Sequence, residues 1–251
     1  MRSVGWFLGP DAGPRSYGRH WAGVQMLSRR MALRALLAGA ILPGSLPWGA
    51  LALAADAPVR IVALGDSLTA GFGLSADAAF PVRLQKALTA KGLAVEISNA
   101  GVSGDTVSGG LARLDWSVPE GTQAVILELG ANDMLRGLDP HVTRTALEEI
   151  LRRLDERHIE VLLCGMVAAR NLGDDYASAF NRMYPELAAR GHLLLYPFFL
   201  AGVVGQSQGG QSQLVQPDGL HPTAAGVDVI VAGILPTAEE LVAHVRGRRG
   251  S

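Results

Sequence analysis

The 251-residue sequence has one cysteine, Cys164, so no disulfide can form within the chain. Cys164 lies in an apolar run, where we expect it to be a small buried side chain. No group of cysteines and histidines has zinc-site spacing, and neither a P-loop nor a complete dinucleotide fingerprint is present. These absences predict a protein without a metal or organic cofactor.

The chain also lacks an excess of either charge, since 22 basic and 23 acidic side chains give a formal net charge of −1. Residues 1–55 hold six arginines and one acid, which leaves 16 basic and 22 acidic side chains in residues 56–251, a net charge of −6. A mildly acidic body lacks the basic patch that nucleic-acid binding requires. We therefore expect no nucleic-acid partner.

The first 55 residues have the composition of an export signal. The pair Arg29-Arg30 precedes a long Ala/Leu-rich stretch that ends in a small-residue cleavage pattern before Asp56. This order predicts a signal peptide with an N-terminal extension, and the paired arginines resemble a twin-arginine signal. Prolines and glycines interrupt the apolar stretch, which argues against the alternative of a retained membrane anchor. We expect residues 1–55 to direct export to the periplasm or medium, and N-terminal sequencing of the exported protein would distinguish cleavage from anchoring.

From residue 58 onward, short apolar runs alternate with helical patterns, which predicts βαβ units and a parallel sheet in one domain, 56–251. The predicted strands are 59–64, 93–98, 123–129, 159–164 and 192–196. The predicted helices are 80–91, 106–115, one beginning at Asp139-Pro140, 174–190, and a C-terminal helix that opens at Pro222 and is kinked near Pro236.

Ser67 follows the first predicted strand in the turn Gly65-Asp66-Ser67. Open α/β sheets bind ligands at the carboxyl ends of their strands, so this serine is a candidate nucleophile. A serine hydroxyl needs a base, and among the six histidines only His221 has an acid, Asp218, three residues earlier across a glycine. That spacing allows Asp218 to orient the imidazole of His221 towards Ser67.

Acyl transfer also needs hydrogen-bond donors for an oxyanion. Suitable donors are the backbone amides of Ser67 and Gly104 and the side-chain amide of Asn132, all in loops at the same edge of the sheet. Asp66 and Asp133 are expected to brace turns. Each element alone is also explained as turn or capping chemistry, but their convergence on one edge favours a site.

A second serine motif, Gly205-Gln206-Ser207-Gln208-Gly209, matches the G-x-S-x-G pattern of α/β-hydrolases. That pattern requires a helix directly after the serine, followed by an acid and a histidine further along the chain. A polar Gln/Ser loop follows here instead, and His221 is close in sequence. We therefore do not expect Ser207 to be a nucleophile.

The four segments together resemble the conserved blocks of the GDSL, or SGNH, hydrolases: Gly65-Asp66-Ser67-Leu68, Gly104 in Ser103-Gly104-Asp105-Thr106, Gly130-Ala131-Asn132-Asp133, and Asp218-Gly219-Leu220-His221-Pro222. Leu111-Ala112-Arg113-Leu114 and Leu135-Arg136-Gly137 add a likeness to the bacterial thioesterase I, arylesterase and lysophospholipase group. The resemblance implies an α/β fold, a flavodoxin-like three-layer α/β/α sandwich with a five-stranded parallel sheet. It also implies a Ser67–His221–Asp218 triad and an oxyanion hole from Ser67, Gly104 and Asn132. The chain departs from that group in the loops 168–175 and 205–213.

These observations predict an exported serine esterase that needs no cofactor. The expected substrates are small acyl or aryl esters, extending to thioesters, lysophospholipids and contact with membrane lipids. One alternative is a carbohydrate O-acetyl esterase acting on polysaccharide, although Trp116 is the only tryptophan in residues 56–251 and saccharide sites favour aromatic platforms. An alternative of another class is a catalytically silent ligand-binding module. The sequence leaves the oligomeric state open.

Overall fold

Five parallel strands form one sheet in the computed structural model, which describes residues 57–204 and 213–249. The strand order is β2-β1-β3-β4-β5. The strands are β1 Val59–Gly65, β2 Val95–Gly101, β3 Ala124–Glu128, β4 Glu160–Cys164 and β5 Leu194–Tyr196. All five residues of β3 are buried, as expected for a central strand covered on both faces.

Helices cover both faces of this sheet. They are α1 Ser67–Ala70, α2 Phe80–Ala90, α3 Val107–Ala112, α4 Leu114–Ser117, α5 Ala131–Leu135, α6 Pro140–Glu156, α7 Asp174–Gly191 and α8 Ala224–Arg249. The helices α2 and α8 pack together on one side, whereas α6 packs against α3 and α7 on the other. This arrangement is a three-layer α/β/α sandwich with flavodoxin-like strand order, and it confirms the predicted fold class.

Local sequence explains several helix boundaries. Pro140 occupies the first turn of α6, and the Asp139 carboxylate accepts a hydrogen bond from the His141 amide at 2.8 Å. The hydroxyl of Thr106 caps α3 by accepting from the Gly109 amide at 3.2 Å. These caps place α3 and α6 directly after loops that reach the carboxyl edge of the sheet.

Three details of the predicted elements were wrong. The single helix expected over 106–115 is two short helices, α3 and α4, separated at Arg113. The last helix begins at Ala224, because Pro222 pairs with Val215 in an isolated antiparallel bridge. The second strand runs from Val95 to Gly101, displaced towards the carboxyl edge relative to the prediction. Pro236 lies inside the C-terminal helix, which runs from Ala224 to Arg249 without interruption, and the kink expected there stays a prediction.

The predicted export signal, 1–55, and the Ser207 motif lie outside the described residues, so both stay predictions. Within the described ranges, no helix is both long and apolar enough to cross a membrane.

Candidate active site

A cleft of about 370 Å³ opens at the carboxyl edge of the sheet, where the segments after all five strands converge with the segment before α8. It is lined by Ser67, Leu68, Phe72, Ser103, Gly104, Ala131, Asn132, Met134, Leu135, Met166, Leu200, Leu220 and His221. Every predicted site residue except Asp218 lines this cleft, and Asp218 lies directly behind His221.

Ser67, His221 and Asp218 form a continuous hydrogen-bonded relay. The Ser67 Oγ lies 2.9 Å from Nε2 of His221, and Nδ1 of His221 lies 2.6 Å from Oδ2 of Asp218. The other carboxylate oxygen of Asp218 accepts from the backbone amides of Leu220 and His221 at 2.9 and 3.0 Å. The amide of Leu220, followed by the His221 ring, lowers the pKa of Asp218 to about 2. An ionised Asp218 can only accept, so Nδ1 carries the proton and Nε2 accepts from Ser67.

The turn that presents Ser67 depends on Gly65, two residues before the serine. A Cβ added to Gly65 would lie 2.1 Å from Oγ1 of Thr69 and 2.7 Å from the Glu128 carbonyl oxygen. Asp66 then caps α1, since its Oδ1 accepts from the Leu68 amide at 2.9 Å. The close approach at Gly65 and this cap place Ser67 at the first position of α1, at the base of the cleft.

Three hydrogen-bond donors belong to residues that line the same cleft, namely Ser67, Gly104 and Asn132. Among the described residues, no hydrogen bond uses the backbone amides of Ser67 or Gly104. The Asn132 side-chain amide donates one hydrogen to Oδ2 of Asp66 at 3.1 Å, which leaves its second hydrogen available. Gly104 sits third in the β-turn 102–105, closed by a 3.1 Å bond from the Asp105 amide to the Val102 carbonyl. Its φ of +86° is the conformation that a type II turn requires at this position.

Asp66 and Asp133 brace the loops, as expected. Asp133 is buried and accepts from the Val107 amide at 2.9 Å and from the Thr143 hydroxyl at 3.1 Å, tying α5 to α3 and α6. Asp66 does more than brace its own turn, because it also fixes the orientation of the Asn132 amide.

A second buried acid, Glu128, lies beneath this turn at the end of β3. Its Oε2 accepts from the Thr69 hydroxyl at 2.7 Å, whereas Oε1 has no hydrogen-bond partner among the described residues. Burial, reinforced by the nearby charge of Asp66, raises the pKa of Glu128 well above its usual range. Sequence reasoning missed this residue, although a lone acid within the apolar strand 123–129 is a visible signal.

Burial also raises the pKa of Asp66 from 3.8 to about 6, against the lowering effect of the Leu68 and Asn132 hydrogen bonds. Folding therefore favours the protonated carboxyl of Asp66 between about pH 4 and pH 6, whereas the ionised form predominates at neutral pH. The stabilisation of the folded state by the protonated Asp66 carboxyl is complete below about pH 4 and is lost as the pH rises through about 6.

We expect Asp66→Asn, which cannot ionise, to remove this part of the pH slope. When the pH is raised from acidic to neutral, the wild type should lose about 2–3 kcal/mol more unfolding free energy than the variant. Urea unfolding of both proteins across pH 4 to 7.5, compared as differences, measures the effect. Identical slopes for the two proteins would show that Asp66 is not protonated on folding.

Arg113 is a buried residue that ties three parts of the site together. Its guanidinium donates to the carbonyl oxygens of Gly65 and Ala100, each at 2.8 Å, and to Oδ2 of Asp105 at 2.6 Å. These bonds join the ends of β1 and β2 to the turn that carries Gly104. The helix expected over 106–115 is interrupted at Arg113 because the side chain of this residue points inward to these acceptors. In the sequence, Arg113 is marked only by its place in the Leu111-Ala112-Arg113-Leu114 segment.

In the part of the chain that the structure describes, no three His, Cys, Asp or Glu side chains cluster closely enough to hold a metal ion. The lone Cys164 is buried, as expected, and burial raises the pKa of its thiol well above the usual range. A buried thiol of high pKa is a poor nucleophile, and Cys164 does not line the cleft. Ser67 is the nucleophile candidate because its Oγ lies 2.9 Å from Nε2 of His221.

Comparison with known proteins agrees with this geometry. The model of the GDSL-like Lipase/Acylhydrolase family matches residues 63–229. The chain is 37 % identical to Esterase TesA of Pseudomonas aeruginosa over 211 residues, covering 84 % of this chain and 100 % of that protein. It is 35 % identical over 195 residues to Thioesterase 1/protease 1/lysophospholipase L1 of Escherichia coli K12, covering 77 % of this chain and 90 % of that protein.

A solved structure gives the same result. The SGNH-hydrolase family esterase AlinE4 has a TM-score of 0.61 and 41 % identity, covering 73 % of this chain and 96 % of that chain. The matched region contains all four sequence blocks that meet at the cleft. The chain therefore belongs to the GDSL-like lipase/acylhydrolase family, a family of ester hydrolases.

Proposed function

We propose that this protein is a serine esterase that hydrolyses acyl esters through an acyl-enzyme on Ser67. The observation that carries the proposal is the relay from Asp218 through His221 to Ser67 Oγ, with spacings of 2.6 and 2.9 Å. The relay ends in a cleft that also presents the Gly104 and Asn132 donors.

In this mechanism Ser67 Oγ attacks the acyl carbon while Nε2 of His221 takes the hydroxyl proton. The carbonyl oxygen becomes an oxyanion, which the Ser67 and Gly104 amides and the Asn132 side chain stabilise. The intermediate collapses as the C–O bond to the alcohol breaks, and His221 returns the proton to the leaving alcohol. Water, activated by His221, then attacks the acyl-enzyme, releasing the acid and restoring the Ser67 hydroxyl.

The lining of the cleft favours a hydrocarbon chain on the acyl side. Apolar side chains form most of the walls, contributed by Leu68, Phe72, Ala131, Met134, Leu135, Met166, Leu200 and Leu220. Burial of a methylene group stabilises binding by about 0.8 kcal/mol. A substrate with a longer acyl chain should therefore be held more tightly, until the cleft is full.

Exposed apolar side chains are concentrated around the mouth of this cleft. Nine large hydrophobic residues are exposed in the described chain, and six lie in segments beyond the carboxyl ends of the strands: Phe72, Val102, Leu135, Val167, Val204 and Leu220. Three of the six, Phe72, Leu135 and Leu220, line the cleft itself. Such a patch favours an amphiphilic substrate and contact with lipid. We therefore extend the proposed substrates to thioesters and lysophospholipids, which correspond to two of the three activities in the name of the Escherichia coli relative.

The polysaccharide alternative is less well supported by the same residues. Among the described residues, Phe72 is the only aromatic one that lines the cleft apart from His221, and the centre of its ring lies 4.6 Å from that of the His221 ring. Trp116 is 72 % exposed on α4 and does not line the cleft. A saccharide would thus find little aromatic surface to stack on near Ser67.

A series of p-nitrophenyl esters from acetate to dodecanoate, run beside acetylated xylan, tests the proposal. We expect kcat/KM to rise by about two- to fourfold per methylene over the shorter chains and then to level off. Leu200→Ala, which shortens one wall of the cleft, should flatten this rise. Faster release of acetate from xylan than from the aryl esters would contradict the acyl-chain assignment.

A further inference from the structure

Arg136 contacts both residues that supply oxyanion donors from outside the Ser67 turn. Its backbone amide donates to the Asn132 carbonyl oxygen at 3.1 Å as it ends α5. Its side-chain Nη2 donates to the Gly104 carbonyl oxygen at 2.6 Å. One exposed residue therefore connects the helix of Asn132 to the turn of Gly104.

The turn that carries Gly104 needs such a connection at its apex. Its first residue, Val102, is fixed by a 3.0 Å bond from its amide to the Gly65 carbonyl, and its last, Asp105, pairs with buried Arg113 at 2.6 Å. Gly104 lies between them without a side chain. Around the position that its Cβ would occupy, Arg136 Nη2 at 3.7 Å is the only described non-neighbouring atom within 4 Å.

The position of Gly104 matters because its amide and the Asn132 side chain come from different segments, 102–105 and 131–135. An oxyanion hole is effective when its donors are held in place before charge develops. A glycine samples a wide range of backbone angles. Without a partner at the apex of the turn, the Gly104 amide would therefore point in a range of directions. Arg136 restricts that freedom by a charge-assisted hydrogen bond, which is shorter and stronger than a neutral one.

We propose that Arg136 is a positioning residue that holds the Gly104 amide and the Asn132 side chain at a fixed separation in the oxyanion hole. This inference rests on the proposed function, since it concerns the oxyanion of ester hydrolysis. Arg136 acts through Gly104 and Asn132 and has no proposed contact with the reacting atoms.

The test compares Arg136→Met with the wild type on p-nitrophenyl butyrate. We expect kcat to fall about tenfold, less than the 10²–10³ lost when a donor is removed outright, with KM unchanged because the oxyanion forms only in the transition state. An alkyl boronic acid accepts Ser67 Oγ at boron and places an oxygen in the oxyanion hole. Its Ki should rise by the same factor as kcat falls, while the Tm stays within about 2 °C because the lost bond is exposed.

Arg144→Met is the matched control, because Arg144 lies on α6, pairs with Glu148 and Glu186, and does not line the cleft. It should change neither kcat nor the Ki of the boronic acid. An unchanged kcat in Arg136→Met overturns the proposal. So does a rise in KM with an unchanged Ki, which would make Arg136 a substrate-binding residue, or a loss of kcat that follows a loss of Tm. Failure of the esterase mechanism itself would be recognised separately, by a Ser67→Ala variant that remains active.

Discussion

Replacement of Ser67 by alanine should lower kcat for p-nitrophenyl esters by at least ~10³-fold, while the protein stays folded. The physical reason is that Ser67 Oγ, 2.9 Å from Nε2 of His221, is the only serine oxygen within the hydrogen-bonded relay. Without it no acyl-enzyme forms, and the donors of the oxyanion hole can only assist direct attack by water. Steady-state hydrolysis, with the Tm as a test of folding, measures the effect.

Ser108→Ala is the control for this experiment, because Ser108 is an exposed serine on α3 that does not line the cleft. It should retain wild-type kcat. An alkyl p-nitrophenyl phosphonate provides a second readout, since it should attach covalently to the wild type and to Ser108→Ala but not to Ser67→Ala. Hydrolysis that survives in Ser67→Ala would show that another residue is the nucleophile.

Replacement of Asn132 by alanine should lower kcat by roughly 10²–10³ with little change in KM. The side-chain amide has one hydrogen committed to Asp66 and a second available for the oxyanion. Alanine removes a donor that Asp66 has already oriented. Comparison of kcat and KM on a neutral short-chain ester separates this effect from substrate binding.

The same substitution has a second measurable consequence. The Asn132 hydrogen bond lowers the pKa of Asp66, so its removal should raise the pKa of Asp66 further. The unfolding free energy of Asn132→Ala should then fall more steeply than that of the wild type as the pH rises through about 6. Asn171→Ala, at an exposed asparagine before α7, is the control and should match the wild type in kcat. A wild-type kcat in Asn132→Ala would remove Asn132 from the oxyanion hole.

Much of the fold was predictable because local patterns control it. The buried run of β3 and the Asp139-Pro140 start of α6 are both signals within a few residues, and both elements formed where expected. The break at Arg113 was not predictable in this way. Nothing in the helical pattern of 106–115 shows that this side chain turns inward to three acceptors on β1, β2 and the Gly104 turn.

The candidate site was predictable at the level of its residues. Parallel strands deliver their carboxyl ends to one edge, so Ser67, Gly104 and Asn132 were expected to meet, and His221 was identified by the acid three residues before it. The structure brings Ser67 and His221 within 2.9 Å across 154 positions of sequence. Glu128 was missed because an acid in a strand has no local motif that marks its partner, Thr69.

Sequence alone therefore determined the elements, the order of their motifs and the edge of the sheet where the motifs converge. These properties follow from hydrophobic periodicity, turn-forming glycines and helix caps, which act over a few residues. Tertiary structure decided the rest: the raised pKa of Asp66, the orientation of the Asn132 amide, and the contacts of Arg113 and Arg136. Each depends on burial or on a partner far along the chain, and such distances exist only once the layers have packed.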